Sequence, residues 1–151
     1  MFHFRLQSLL NYREHLRDLC RQRLAEVLAE DAELVRQREA VLTARGEMLA
    51  QLQALQQQPR LDVDQAAARR YHAGQLAVEA ARLLAARETL AEQIARRRQD
   101  VVLADQGVKV LEQLADKQRQ AAVEDQERRE GREREEIWQA GQLTGTRPGS
   151  P

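Results

Sequence analysis

The sequence is poor in almost everything that a compact globular domain uses. Aromatic side chains make up 3% of its 151 residues, as two Phe, two Tyr and one Trp. A thick core draws much of its energy from such bulky groups, so a thick core is not expected. Proline occurs three times and glycine seven times, too seldom for a loop-rich fold. The single cysteine, Cys20, excludes an internal disulfide and suits a reducing compartment. No apolar run approaches the ~20 residues that a membrane-spanning helix needs, so direct membrane insertion is not expected. Nor is there an excess of either charge: Lys+Arg number 24 and Asp+Glu number 24. Nucleic-acid binders carry a basic excess or stripe, so nucleic acid is not an expected partner.

The residue patterns of catalysis are missing as well. There is no Gly-rich loop to cradle a phosphate. His3, His15 and His72 are scattered, and none forms the i, i+4 pair of a helical zinc site. Acidic neighbours such as Glu135 and Glu136 belong to a solvated helix, with no pocket to raise a carboxyl pKa. The expectation is a protein without catalytic residues, metal or cofactor, and not an enzyme.

What is present is a helix former's alphabet. Charged residues reach 32%, and Ala, Leu, Arg, Gln and Glu dominate, the composition of a long helix or coiled coil. Pro59 is the only proline before Pro148. It lacks an N–H and its ring clashes with a preceding helical turn, so "QQQPRLDVDQ" at 56–65 reads as the one internal break. Asp62 is a suitable N-cap for a second helix, with Gln65 three residues on.

Both flanking segments carry a 3–4 apolar spacing. In the first it runs through Cys20, Leu24, Val27, Asp31, Leu34, Arg38, Val41, Arg45, Met48, Leu52 and Leu55. In the second it runs through Leu76, Ala80, Leu83, Arg87, Leu90, Ile94, Arg97, Val101, Ala104, Val108, Leu111 and Ala115. Such heptads make a seam that a partner helix must cover. Folding back at Pro59 lets the seams cover each other, with partner numbers adding to about 120. That register places Asp31 beside Arg87, an ion pair in an otherwise apolar seam, and Gly46 near Gly74, a point of close backbone approach or a soft point.

The expected fold is therefore all-α: a long two-helix antiparallel coiled-coil hairpin with a C-terminal helical overhang. Residues 1–141 form one coiled-coil domain, with helix one over about 3–57, a turn at 58–63 and helix two over about 64–140. Residues 142–151 read as a disordered tail. The overhang, from 118, has no partner and is expected to fray at its polar, Gly131-containing part.

The opening "FHFRLQSLLNYREHL", 2–16, concentrates Phe2, Phe4 and Tyr12. Arg5, Gln7, Ser8, Asn11, Arg13 and Glu14 interrupt any apolar stretch of the kind a secretory signal requires, so it reads as soluble helix. In the 120 register it lies beside 104–118. Its apolar groups either anchor a partner, where aromatics supply much of the binding energy, or fasten the hairpin's open end. Trp138 is a second candidate anchor.

Two stretches together resemble a known family. "FHFRLQSLLNYRE" at the start and "VKVLEQLADKQRQ" late in helix two resemble the FliJ family of flagellar type III export proteins. The discriminating positions are Phe4, Arg5, Leu6, Gln7, Leu9, Leu10 and Arg13, with Leu111, Glu112, Leu114, Lys117, Gln118 and Arg119. The resemblance implies an antiparallel coiled-coil hairpin similar to the rotor stalk of F-type ATP synthases. It implies a cytoplasmic export factor associated peripherally with the inner membrane at the flagellar base. Its terminal end would dock into the hexameric export ATPase FliI and promote assembly of that ring, and it would contact the export gate protein FlhA and export chaperones. On this resemblance the ATPase-docking residues are Phe4, Arg5, Leu6, Gln7, Leu9, Leu10, Arg13, Leu111, Leu114, Lys117, Gln118 and Arg119. The gate-facing positions are Gln37, Val41, Ala44, Met48, Tyr71, Gln75, Val78 and Arg82, several of which serve equally as seam packing. Family members can carry several aromatics on that face, of which only Tyr71 stands here. The alternatives are the equivalent stalk of a virulence-type III secretion system and a generic coiled-coil structural adaptor.

Overall fold

The computed structural model describes residues 2–145. It contains two helices, α1 (Gln7–Gln56) and α2 (Val63–Gly145), and no strand among the described residues. The fold is all-α, an antiparallel two-helix coiled-coil hairpin.

The reversal is built as the sequence dictates. At the end of α1 the Gln57 N–H donates to the Gln53 carbonyl at 3.2 Å and the Gln58 N–H to the Leu55 carbonyl at 3.3 Å. That tightened last turn is a common helix ending. Pro59 comes next, in the bend, where no helical N–H is required of it. Asp62 then caps α2: its carboxylate accepts from the Gln65 N–H at 3.2 Å, and its carbonyl accepts from the Ala66 N–H at 3.0 Å.

The chain divides into two compact units, one of Leu16–Ala104 and one of Met1–His15 with Asp105–Pro151. In the first unit the seam follows the heptads. Every α1 seam position from Cys20 to Leu55 is partly shielded, and Ala80, Leu83, Leu90 and Ile94 of α2 are buried. The same spacing extends back to Ala73, Arg69 and Ala66, of which both alanines are buried. The buried α2 seam is alanine at Ala66, Ala73 and Ala80 and becomes bulky at Leu83, Leu90 and Ile94. The apolar content is thin. Arg38, Arg45 and Arg69 occupy seam positions, and each holds its Nε away from solvent with no hydrogen-bond partner. Their methylene stems pack while the outer guanidinium reaches water.

The expected pairing of Asp31 with Arg87 is present. Arg87 Nε donates to Asp31 Oδ1 at 2.9 Å and Nη2 to Oδ2 at 3.4 Å, a bidentate contact. The hydrogen bond to Asp31 and then its charge raise the Arg87 pKa. Arg87 is about half exposed and Asp31 mostly shielded, so the pair lies between the surface and buried extremes. Arg87→Ala leaves Asp31 in the seam without its partner and is expected to lower stability. Replacing both by Leu should instead match or exceed the parent stability. A chemical-denaturation double-mutant cycle checks this, and a double-Leu variant weaker than Arg87→Ala would contradict it.

Gly46 and Gly74 do not approach each other closely. Each is exposed, and a Cβ on either meets nothing within 4 Å. They occupy the heptad position two rows outside the seam, so the hairpin itself does not use their lack of a side chain.

In the second unit, helix one begins at Gln7 rather than near residue 3. Residues 5 and 6 form a turn closed by the Gln7 N–H donating to the Phe4 carbonyl at 3.1 Å. The heptad spacing carried back from Leu10 points to Leu6, yet Leu6 is exposed and Phe4 is buried. Leaving the helix at this turn lets the larger ring take the place that Leu6 would fill. At the other end α2 is helical through Gly145, so residues 142–145 of the expected tail are helix; 146–151 lie outside the described residues.

Candidate functional site

The two family-like stretches, about a hundred positions apart, come together in one apolar cluster. Phe4 and Leu10 from the opening pack with Val108, Leu111 and Ala115 of α2, and Val108 is the best shielded side chain, at 1% exposure. Pairing continues to the chain's start, where the Arg119 guanidinium lies 5.8 Å from the Phe2 ring centroid, a cation–π contact. Arg13 lies against Gly107, where an added Cβ would stand 3.7 Å from Arg13 Cδ. The register is the expected one, residue 2 facing 119 and 13 facing 107.

This geometry sorts the docking set. Phe4, Leu10 and Leu111 face inward and fasten the unit, so they are not available to a partner. Arg5, Leu6, Gln7, Leu9, Arg13, Leu114, Lys117, Gln118 and Arg119 are exposed. Gln7 Nε2 donates to Asn11 Oδ1 at 2.9 Å, and Arg119 Nη1 stands 3.6 Å from Asp116 Oδ1. Phe2, Tyr12 and Val110 are also exposed, and they add apolar surface that the motif positions alone did not name. The exposed side chains of these stretches thus include aromatic, leucine and basic groups, and aromatics and arginine are enriched at protein-docking surfaces.

Beyond this pairing, every side chain from Asp116 to Gly145 is exposed. The helix supports itself by neighbouring charges: Glu124 with Arg128 at 3.8 Å, Asp125 with Arg129 at 2.8 Å and Glu130 with Arg134 at 3.8 Å. In each pair the acid stands four residues before the base, the favourable order. These pairs lie along the polar segment on both sides of Gly131, where the helix is continuous. Trp138 is 62% exposed and lies with Gln139, Gln142 and Leu143 along a shallow surface groove. Removing residues 120–151 deletes none of the buried cluster. Residues 1–119 are expected to keep their helicity and to melt within a few degrees of the full chain. Circular dichroism checks this, and loss of most helical signal would show that the exposed segment is structurally required.

The gate-facing set lies in the other unit and is not a single exposed face. Val41 and Met48 belong to the interhelical seam and are half-buried, as is Ala44. Tyr71 and Val78 are well exposed, Tyr71 at 70%, and Gln37, Gln75 and Arg82 are exposed as well. Arg82 is engaged with Glu79: its Nη2 donates to Oε1 at 2.6 Å and its Nε to Oε2 at 3.0 Å. These hydrogen bonds, and then the arginine's charge, hold the Glu79 carboxyl below its ordinary range, while the same hydrogen bonds and the carboxylate's charge raise the Arg82 pKa. The contact therefore stabilises the helix above the ordinary carboxylate range and is lost as the pH falls through the lowered Glu79 pKa.

His3, His15 and His72 are exposed and Cys20 is half-buried. Among the described residues no group of three or more His, Cys, Asp or Glu side chains could hold a metal ion, and no helix is long and apolar enough to cross a membrane. What the arrangement offers chemically is surface: exposed apolar and basic side chains in one unit, and a helical hairpin in the other. No protein-family model, curated protein or solved structure matches this chain.

Proposed function

We propose that this chain is a non-catalytic flagellar type III export factor of the FliJ kind. Its terminal unit docks into the hexameric export ATPase FliI and promotes assembly of that ring. Its hairpin unit contacts the export gate FlhA, and export chaperones bind it in transit. It works in the cytoplasm, peripherally associated with the inner membrane at the flagellar base.

One observation carries the reading. The two stretches that resemble the family are remote in sequence, yet they share one apolar cluster. The same two stretches also carry the exposed leucines Leu6, Leu9 and Leu114 and the basic groups Arg13, Lys117 and Arg119, which supports a docking end. Basic groups around an apolar anchor orient a charged partner and speed encounter more than they add affinity. The docking residues are therefore Leu6, Leu9, Tyr12 and Leu114, with Phe4, Leu10 and Leu111 holding them in place.

The test is the ATP hydrolysis rate of purified FliI with and without this protein, together with the mass of the ATPase. A several-fold rise with hexamers forming supports the proposal. No complex and no change at micromolar concentration would reduce the chain to a coiled-coil adaptor. Leu6→Asp with Leu9→Asp should abolish stimulation while leaving helicity intact, because both side chains are exposed.

A further inference from the structure

The 16–104 unit has two flanks beside its seam, and they differ in kind. One carries Glu30, Glu33, Gln37 and Gln93 along its groove. The other carries an apolar row on each helix, beside Asp31, Arg87, Glu88 and Arg98 of its groove. Its α1 row is Leu28, Val35, Leu42 and Leu49, one heptad apart, and its α2 row is Ala77, Leu84 and Ala91. Leu28, Leu42, Leu49 and Leu84 are all exposed. Two strands of coiled coil need only the a and d rows; a third apolar row beside them is the pattern of a bundle helix.

The next row outward is small. It reads Ala25, Ala32, Glu39 and Gly46 on α1, and Gly74, Ala81, Glu88 and Ala95 on α2. Gly46 and Gly74 face open space, and each lowers helix stability by about 1 kcal/mol relative to Ala. Nothing in the chain explains that loss. A backbone approaching from outside would.

We infer that this flank is the interface of a homodimer, in which two copies of the hairpin pack as a four-helix bundle about a two-fold axis parallel to the helices. That axis sets α1 of each copy over α2 of the other, at the levels that already pair within the hairpin. Leu28 and Leu42 then fall on Ala91 and Ala77, large on small. Gly46 meets Gly74 of the other copy, so the glycines form one layer of close backbone approach. Glu39 falls on Ala81 and Glu88 on Ala32, so no two carboxylates oppose each other. One patch thus complements itself under the swap, as an isologous interface requires. From residue 25 to residue 49 the stripe is about 36 Å long and roughly 20 Å wide. Two copies would bury on the order of 1,400 Å², within the range of specific interfaces.

Sedimentation equilibrium of the full chain tests this, from about 1 to 300 µM. A dimer is expected, and Leu28→Lys with Leu42→Lys should weaken association at least 100-fold with unchanged helicity. Gly46→Gln fits the open space of the single chain and should weaken association at least 10-fold. A monomer throughout, or a dimer indifferent to either variant, overturns the inference; the latter would place the contact elsewhere. Leu6→Asp with Leu9→Asp should leave dimerisation unchanged, so the outcome is independent of the export reading.

Discussion

Val108→Asp is expected to unfold the cluster that joins residues 2–15 to 105–119, and to do so more completely than any other single change in the chain. Val108 is shielded to 1% and touches the centre of a cluster with only four other buried members, Phe4, Leu10, Leu111 and Ala115. A carboxylate there would lose its hydration with no donor arranged to meet it, and the valine's packing would be lost too. The combined effect is about 3–5 kcal/mol, comparable to what so small a cluster supplies. Hydrogen exchange read residue by residue is the measurement. Protection at 7–15 and 105–115 should fall by two orders of magnitude or more, while the seam from Leu24 to Ile94 retains its protection. Stimulation of the ATPase should disappear with it. Val110→Asp, two positions on and well exposed, is the control: it should leave protection unchanged. Equal protection in the Val108→Asp variant and the parent would remove this cluster from its assigned place.

The contrast between Val108 and Val110 shows what the sequence could convey. Heptad spacing marks one face of a helix, so the seam from Cys20 to Ala115 and the Asp31–Arg87 pair were legible as periodicity and register. The extension through Ala66, Arg69 and Ala73 was not, because alanine is at home on any helical face and arginine signals solvent. The identity of the buried aromatic was not legible either. Periodicity favours Leu6, and only the turn at residues 5 and 6 puts Phe4 inside. The helix of 116–145 carries no apolar pattern, only ion pairs four residues apart, each a small contribution to helicity. The candidate site was legible as two motifs and a register. Which motif residues face inward depends on how the two chains cross, and spacing alone does not carry that. The gate-facing set has the helical 4–3–4 spacing on both helices, but on α1 that spacing runs into the seam, and Val41 and Met48 are packing positions first.

Arg38→Leu combined with Arg45→Leu is expected to raise the stability of the hairpin unit, the largest gain open to it by two substitutions. Both arginines occupy seam positions opposite the alanine-rich face of α2, and both leave Nε shielded without a partner. An unmet buried donor costs about 1–3 kcal/mol. Leucine removes that loss and places branched carbons where the arginine stem now lies, for about 1 kcal/mol more at each site. Part of this is offset by the packing that the stems already provide. A net gain of about 2–5 kcal/mol for the pair corresponds to a rise in Tm of roughly 10 °C or more for a unit of this size. Differential scanning calorimetry reads it directly, and an unchanged or lower Tm would show that the two guanidinium groups are satisfied by solvent in solution. The same variant exposes why a sequence would keep such residues. Charged groups at core positions of a coiled coil restrict the number and register of its partners at the expense of stability. The Leu variant should therefore be hotter to melt yet less exclusive, with species beyond the dimer appearing in sedimentation at concentrations where the parent shows none.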